Sequence, residues 1–386
     1  MDKSRAHHVL QSCAYRLVLI DGNAILHRAY HALPPLTAPD GSVVNAVYGF
    51  VSILIKLFQD LKPTHMAVAF DRPEKTFRKS LYKDYQGKRP EMDKELVSQI
   101  EPVHEIIRCF GIPIFELGGY EADDLLGTIA RKVHDEHLIV KTHDEHTMEK
   151  SRANHVSLSS AHQSPEVIIV TGDKDILQLV DDARRVKVFM PTKGLSEGKL
   201  YGEAEVIERL GVTPKQIPEF KALMGDSSDN YPGVAGIGPK TAVGIIGSFG
   251  SIEKMYHAIK ESNQESLRQS SGQAGIRNQG KKKLLFSTTV LEKLRNGEEM
   301  ARMSKDLATI RTDVPIEFKS LETIETLDTS DAREKLSELH FPSLLKRLTG
   351  IDDGKSERPS FAGASAFVKT LADAPADEAG EQQELF

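Results

Sequence analysis

Nine carboxylates, Asp21, Asp71, Glu121, Asp123, Asp124, Asp173, Asp175, Asp226 and Asp229, sit in five short segments of the sequence: LVLID (17–21), MAVAFD (66–71), GYEADD (119–124), TGDKD (171–175) and GDSSDN (225–230). Aspartate and glutamate gathered without cysteine form the ligand set of a hard divalent cation, magnesium or manganese. Left alone, so many like charges repel, so a cation is implied. The chemistry that suits them is phosphodiester hydrolysis, in which two ions about 4 Å apart activate water, neutralise the non-bridging oxygens and assist the leaving oxygen. Asp173 and Asp175, two apart, project from one side if that segment is extended, and Asp226 and Asp229, three apart, share a face if their turn is helical.

Two further segments suit a polyanion. The stretch 72–94, RPEKTFRKSLYKDYQGKRPEMDK, follows Asp71 directly and sets eight basic residues against four acids, with Phe77, Tyr82 and Tyr85 interleaved. A charge run is usually a solvated face, but next to a metal ligand this composition can grip a backbone and stack on unpaired bases, with Arg72, Tyr82 and Tyr85 as contacts. The second segment, GVAGIGPKTA (233–242), is a glycine-rich hairpin leading into a helix. Taken alone it reads as a structural turn. Following GDSSDN so closely, it becomes a phosphate-backbone site through Gly233, Gly236, Ile237, Gly238, Lys240 and Thr241, because glycines permit close approach and a helix N-terminus favours anions.

The elements that must position these residues form an α/β pattern from Tyr15 to about Pro191. LVLID, MAVAFD and VIIVTGDKD (167–175) are continuously apolar runs that end in acids, as buried parallel strands do, and the carboxyl edge of such a sheet is where ligands bind. The spacing predicts packing helices over 43–60 and 94–110 and a helix start at 121–130, where acids near an N-terminus are the ordinary expectation from the helix dipole. The stretch 134–165 spells HDEH twice and carries six histidines, yet has no apolar stripe or cysteine to fix zinc, so it reads as a solvated insertion. Residues 262–283 read as an exposed loop, the region from Gly202 to Leu348 as mainly helical, and 352–381 as a tail too polar to fold alone.

The net charge of −6 does not exclude a nucleic-acid partner, since the acids collect where cations reverse the field. Two cysteines give no disulfide framework, and neither a secretory leader nor an apolar run of membrane-spanning length is evident, which points to a cytoplasmic, nucleoid-associated protein.

DGN (21–23), FD followed by KTFR (75–78), GYEADD, TGDKD, GDSSDN and GIGPKTA (236–242), in that order, resemble the 5′–3′ exonuclease domain of bacterial DNA polymerase I and related flap endonucleases, over about residues 15–348. The resemblance implies a PIN-like, mostly parallel sheet with flanking helices over 15–203, preceded by an extension (1–14). A helix-three-turn-helix, SAM-fold-like module follows over 204–348, and then a disordered tail (349–386). It also implies roles. Asp71, Glu121, Asp123 and Asp173 match the tighter of two Mg2+ sites, which Mn2+ can also fill; Asp175, Asp226 and Asp229 match the second, and Asp21 and Asp124 complete the set. The hairpin would hold duplex backbone, with K+, and 72–94 would be an arch passing a single-stranded 5′ end. The chain departs from the family at Gln86, where the arch usually carries a lysine; Lys83, Lys88, Arg78 and Arg89 are the cations left to assist catalysis. No polymerase-like sequence follows, and QQELF (382–386), through Gln382, Leu385 and Phe386, resembles a sliding-clamp peptide on a flexible tether.

The function expected is a monomeric, metal-dependent nuclease that cuts branched, nicked or flapped DNA in Okazaki-fragment processing and repair. The alternatives are a catalytically weak junction-binding scaffold recruited to the clamp and a PIN-type ribonuclease.

Overall fold

The computed structural model describes residues 15–135, 165–193, 197–270, 287–318 and 320–350. The histidine-rich insertion beyond Asp135, most of the 262–283 loop, the N-terminal extension and QQELF lie outside them. Six strands form one sheet in the order β3-β2-β1-β4-β5-β6: β1 Arg16–Asp21, β2 His65–Ala69, β3 Ile114–Phe115, β4 Glu166–Val170, β5 Val186–Lys193 and β6 Glu197–Tyr201. All neighbouring pairs are parallel except β5 with β6.

The continuously apolar strands are buried on both faces. Leu17, Leu19, Ala67, Ala69, Val167 and Ile169 join one core, while Val18, Ile20, Met66, Val68, Ile168 and Val170 join the other. Strand side chains alternate, so each of these central strands contributes to two layers. The helices Gly22–Ala32, Asn45–Leu61 and Ile100–Cys109 cover one face; Ala122–Asp135 and the helices from Glu203 to Ala308 cover the other.

The helical region expected from residue 204 onward packs directly on the sheet. Val206, Val212, Ile217, Ile245 and Leu294 belong to the same core as β1 and β4, so the helical region does not stand apart. The chain then returns: Ile310 N–H bonds Gln178 Oε1 (3.0 Å), Val314 N–H bonds Thr128 Oγ1 (3.1 Å) and Ile324 N–H bonds the Thr64 carbonyl (2.8 Å). The last two helices, Ser330–Glu338 and Pro342–Thr349, pack on the far face, where Tyr48 meets the Phe341 ring edge-on and its hydroxyl lies 2.9 Å from Ser343 Oγ. The return segment and these two helices thus clasp the sheet from both faces.

Candidate active site

β1 delivers the first acid. Asp21 closes the strand and caps the helix Gly22–Ala32, accepting Ala24 N–H at 2.9 Å. The turn is this tight only because residue 22 has no side chain: a Cβ there would lie 2.4 Å from the Phe70 ring. The other Asp21 oxygen accepts the Thr171 hydroxyl (2.6 Å) from the end of β4. Asp71, two residues past β2, donates its N–H to Asn23 Oδ1 (2.9 Å) and accepts Ala122 N–H (2.6 Å), joining β2 to the start of the helix Ala122–Asp135. Glu121 and Asp123 lie at that same helix start, the bland dipole position, but here turned to the cluster.

Asp173 does not lie on an extended run with Asp175. Its N–H bonds Thr171 Oγ1 (2.9 Å), and its Oδ1 caps Asp175 N–H (2.8 Å) at the first residue of the 3-10 helix Asp175–Leu179. Nor is GDSSDN helical: Asp226 pairs with Tyr231 in an antiparallel bridge and its Oδ1 accepts the Ser228 N–H (2.8 Å) and the Asp229 N–H (3.3 Å). The turn still brings carboxylate oxygens of Asp175, Asp226 and Asp229 within 4.8 Å of one another.

The electrostatics behave as an ion site requires. Burial, with Asp71 and Asp173 adding repulsion, pushes the Asp21 carboxyl up to about 7. Burial raises Glu121 to about 7 as well, with Asp71, Asp124 and Asp229 adding to it and Arg78 opposing. Asp175 rises to about 6 through burial despite Lys221. Burial and then Asp173, Asp21, Asp71 and Glu121 drive Asp123 well above the carboxylate range; Asp173 and Asp229 also rise, chiefly by burial, and Asp71, though its side chain reaches solvent, rises chiefly because the crowded site desolvates it. Asp226 alone of the cluster is lowered: burial works against it, but the Lys221 ammonium and the Ser228 bonds prevail. An all-oxygen donor set that resists ionisation, with a protein ammonium already between two of its members, fits divalent cations.

Several sequence expectations change. Asp124 is not turned to the cluster. It is fully buried, and its oxygens are taken by Arg78 Nη1 and Nη2 (2.7 and 2.8 Å), Arg311 N–H (2.7 Å) and Glu121 N–H (3.1 Å). Arg78, expected as a catalytic cation, is equally buried and also donates to the Leu307 and Thr309 carbonyls. Tyr85 is 3% exposed, stacks on Tyr231 and donates to Glu121 (3.2 Å), so it presents no face to a base. Tyr82 packs beside it, and Phe77 lies against the Arg78 and Arg311 guanidiniums.

The basic segment is docked rather than open. Arg89 Nη2 and Gln86 Nε2 donate to Asp229 Oδ1 (2.7 and 3.3 Å), and Asn230 Nδ2 donates to the Asp84 carbonyl (2.7 Å). Lys83 and Lys88 are exposed, as is Arg72, which pairs with Glu74. In the hairpin, Gly233 is a packing residue: φ is +61° and a Cβ would meet Gly225 N at 2.2 Å. Ile237 is buried, Thr241 half-buried, and Gly236, Gly238 and Lys240 are exposed, with Gly238 capping the helix Pro239–Phe249. Lys221, Asn23 and Thr171 escaped the sequence reading. Thr171 adjoins an acidic motif and was findable, whereas a lysine inside an amphipathic helix carries no distinguishing pattern.

Two families match the chain: the 5′-3′ exonuclease N-terminal resolvase-like domain over residues 16–159, and the 5′-3′ exonuclease C-terminal SAM fold over 212–333. The 5′-3′ exonuclease of Aquifex aeolicus is 32% identical over 346 residues, 89% of this chain and 99% of that protein. DNA polymerase I of Bacillus subtilis is 36% identical over 366 residues, 94% of this chain but 35% of the polymerase, so the chain spans about a third of such relatives. The T5 D15 protein co-crystallized with metal ions shares the fold at a TM-score of 0.53 and 19% identity, covering 87% of this chain and 97% of that one. The catalytic core of Rad2 in complex with DNA substrate (complex IV) does so at 0.51 and 15%, covering 88% and 94%.

Proposed function

The chain belongs to the 5′-3′ exonuclease family, and from that premise we propose that it hydrolyses DNA phosphodiesters at 5′ flaps and nicks with two divalent ions, Mg2+ in the cell and Mn2+ in substitution. The observation that carries this reading is the convergence of acids from five segments on one sheet edge, with carboxyls pushed up by burial and mutual repulsion.

Asp71, Glu121, Asp123 and Asp173 would hold one ion, with Asp21 bracing the group through Thr171, and Asp175, Asp226 and Asp229 would hold the other. When bound, the ions supply an activated water and neutralise charge on the phosphate. The protein's own part is positional. Thr76 and Tyr85 hydroxyls and Arg78 fix both Glu121 oxygens, and the backbone N–H of Ala122 fixes Asp71. Of the four expected catalytic cations, Arg78 bonds Glu121 but is buried, whereas Arg89 bonds Asp229 from a half-exposed position, and we assign Arg89 the role of balancing charge at the cleaved phosphate, with Lys83 and Lys88 steering the strand from the surface.

The exposed Gly236, Gly238 and Lys240 would grip the duplex backbone, with K+ at the hairpin, and QQELF would dock a sliding clamp for Okazaki-fragment maturation and repair, the protein working as a monomer in the nucleoid. A 5′-labelled DNA flap incubated with Mg2+ tests the core of this reading. Cutting by the intact protein and not by Asp173→Ala supports it, whereas flap binding without cutting by either points to a junction-binding scaffold.

A further inference from the structure

Lys221 lies in the last turn of the helix Ile217–Met224, a turn closed by the Gly225 N–H bond to the Lys221 carbonyl. From there its ammonium donates to Asp175 on the 3-10 helix and to Asp226 in the GDSSDN turn. All three side chains are nearly buried, at 13, 13 and 12% exposure. Asp175 and Asp226 are two of the three acids whose oxygens lie within 4.8 Å of one another, and the third, Asp229, is held by Arg89 and Gln86. Lys221 therefore stands where a cation for that trio would stand.

An ammonium and a divalent ion cannot share the same carboxylate oxygens, because at about 4 Å their charges repel by several kcal/mol in a poorly solvated site. If the ion enters, the ammonium must leave for another acceptor. Tyr231 offers one. Its hydroxyl is buried without a hydrogen-bond partner, and among the charges around it Lys221 acts most strongly. An unpaired buried hydroxyl costs about 1–3 kcal/mol, which a bond from Lys221 would recover.

We propose that Lys221 is a tethered cation that binds Asp175 to Asp226 in the ion-free enzyme, competes with the second divalent ion for them, and shifts its ammonium to the Tyr231 hydroxyl when that ion binds. It is a positioning residue, and the idea rests on the two-ion reading above. The second group then binds its ion more weakly than the Asp71, Glu121, Asp123 and Asp173 group, so the ions load in order.

Mn2+ titrated calorimetrically into the full-length protein, without DNA, tests this. Lys221→Met keeps the length of the stem and removes the charge, so the weaker Mn2+ equivalent should tighten about tenfold or more while the stronger stays within about threefold. Lys221→Arg, which keeps the charge, should show no tightening. Tyr231→Phe should weaken the second ion in the Lys221 protein and have no effect beside Lys221→Met. A Met variant whose weaker equivalent is unchanged or looser overturns the proposal. Asp226→Asn separates the two ideas: if it removes the weaker equivalent while Lys221→Met changes nothing, only the competition fails. If it leaves both equivalents intact, the two-ion reading fails with it.

Discussion

Replacing Arg78 by methionine tests the reassignment of Arg78 and Asp124 from chemistry to architecture. The guanidinium makes two bonds to Asp124, at 2.7 and 2.8 Å, with side chains 3 and 0% exposed, and it serves the Leu307 and Thr309 carbonyls. These contacts tie the helix Phe77–Leu81, the helix Ala122–Asp135 and the return segment to one another. Methionine fills much of the volume but leaves Asp124 a buried charge held only by the backbone N–H groups of Glu121 and Arg311. Breaking a buried pair by removing one partner costs about 3–5 kcal/mol, and each orphaned carbonyl adds about 1–3 if no water reaches it. We expect a loss of about 4 kcal/mol in urea unfolding. The double variant Arg78→Met with Asp124→Leu should recover part of that loss, because neither charge then remains alone. Asp124→Asn should destabilise as well, yet retain both Mn2+ equivalents. A loss below about 1 kcal/mol in Arg78→Met, or a missing ion in Asp124→Asn, would return Asp124 to the ligand set and refute the structural role.

Arg89→Ala, which strips the cation from Asp229, should lower flap cleavage about 100-fold, whereas Lys83→Ala and Lys88→Ala should each change it by less than about threefold; equal losses from all three would contradict the assignment. Asp21 and Glu121 near 7 and Asp175 near 6 hold protons in the folded state that the unfolded chain releases, so ion-free stability should fall as pH rises from about 4 to about 7. Because ions take the deprotonated form, the rise in Tm on adding Mg2+ should grow across that window, and a shift independent of pH would contradict this reading. Gly233→Ala forces a side chain into left-handed backbone against Gly225 and should cost more than about 2 kcal/mol. Gly238→Ala meets open space and should leave Tm unchanged while weakening duplex binding, if the hairpin grips the backbone.

Three of the six strands and the five acidic segments were legible because their signals are local. A continuously apolar run ending in an acid is a buried parallel strand whose carboxyl end faces the ligand edge, and β1, β2 and β4 lie side by side with Asp21, Asp71 and Asp173 at or just past their ends. The family too could be read from ordered motifs. Which acid faces the cluster could not be read. Asp123 and Asp124 are adjacent on one helix turn and alike in type, and they diverge only because Arg78 and the Arg311 backbone, distant in sequence, close around Asp124. Tyr85 and Phe77 have the composition of a stacking surface, but Tyr231, Arg78 and Arg311 meet them first. Lys221 is one lysine among many until a distant 3-10 helix brings Asp175, and the turn after its own helix brings Asp226, to its ammonium. Residue type and period declare what a segment can do, whereas the partner that uses it arrives by long-range packing, and only the tertiary structure supplies that partner.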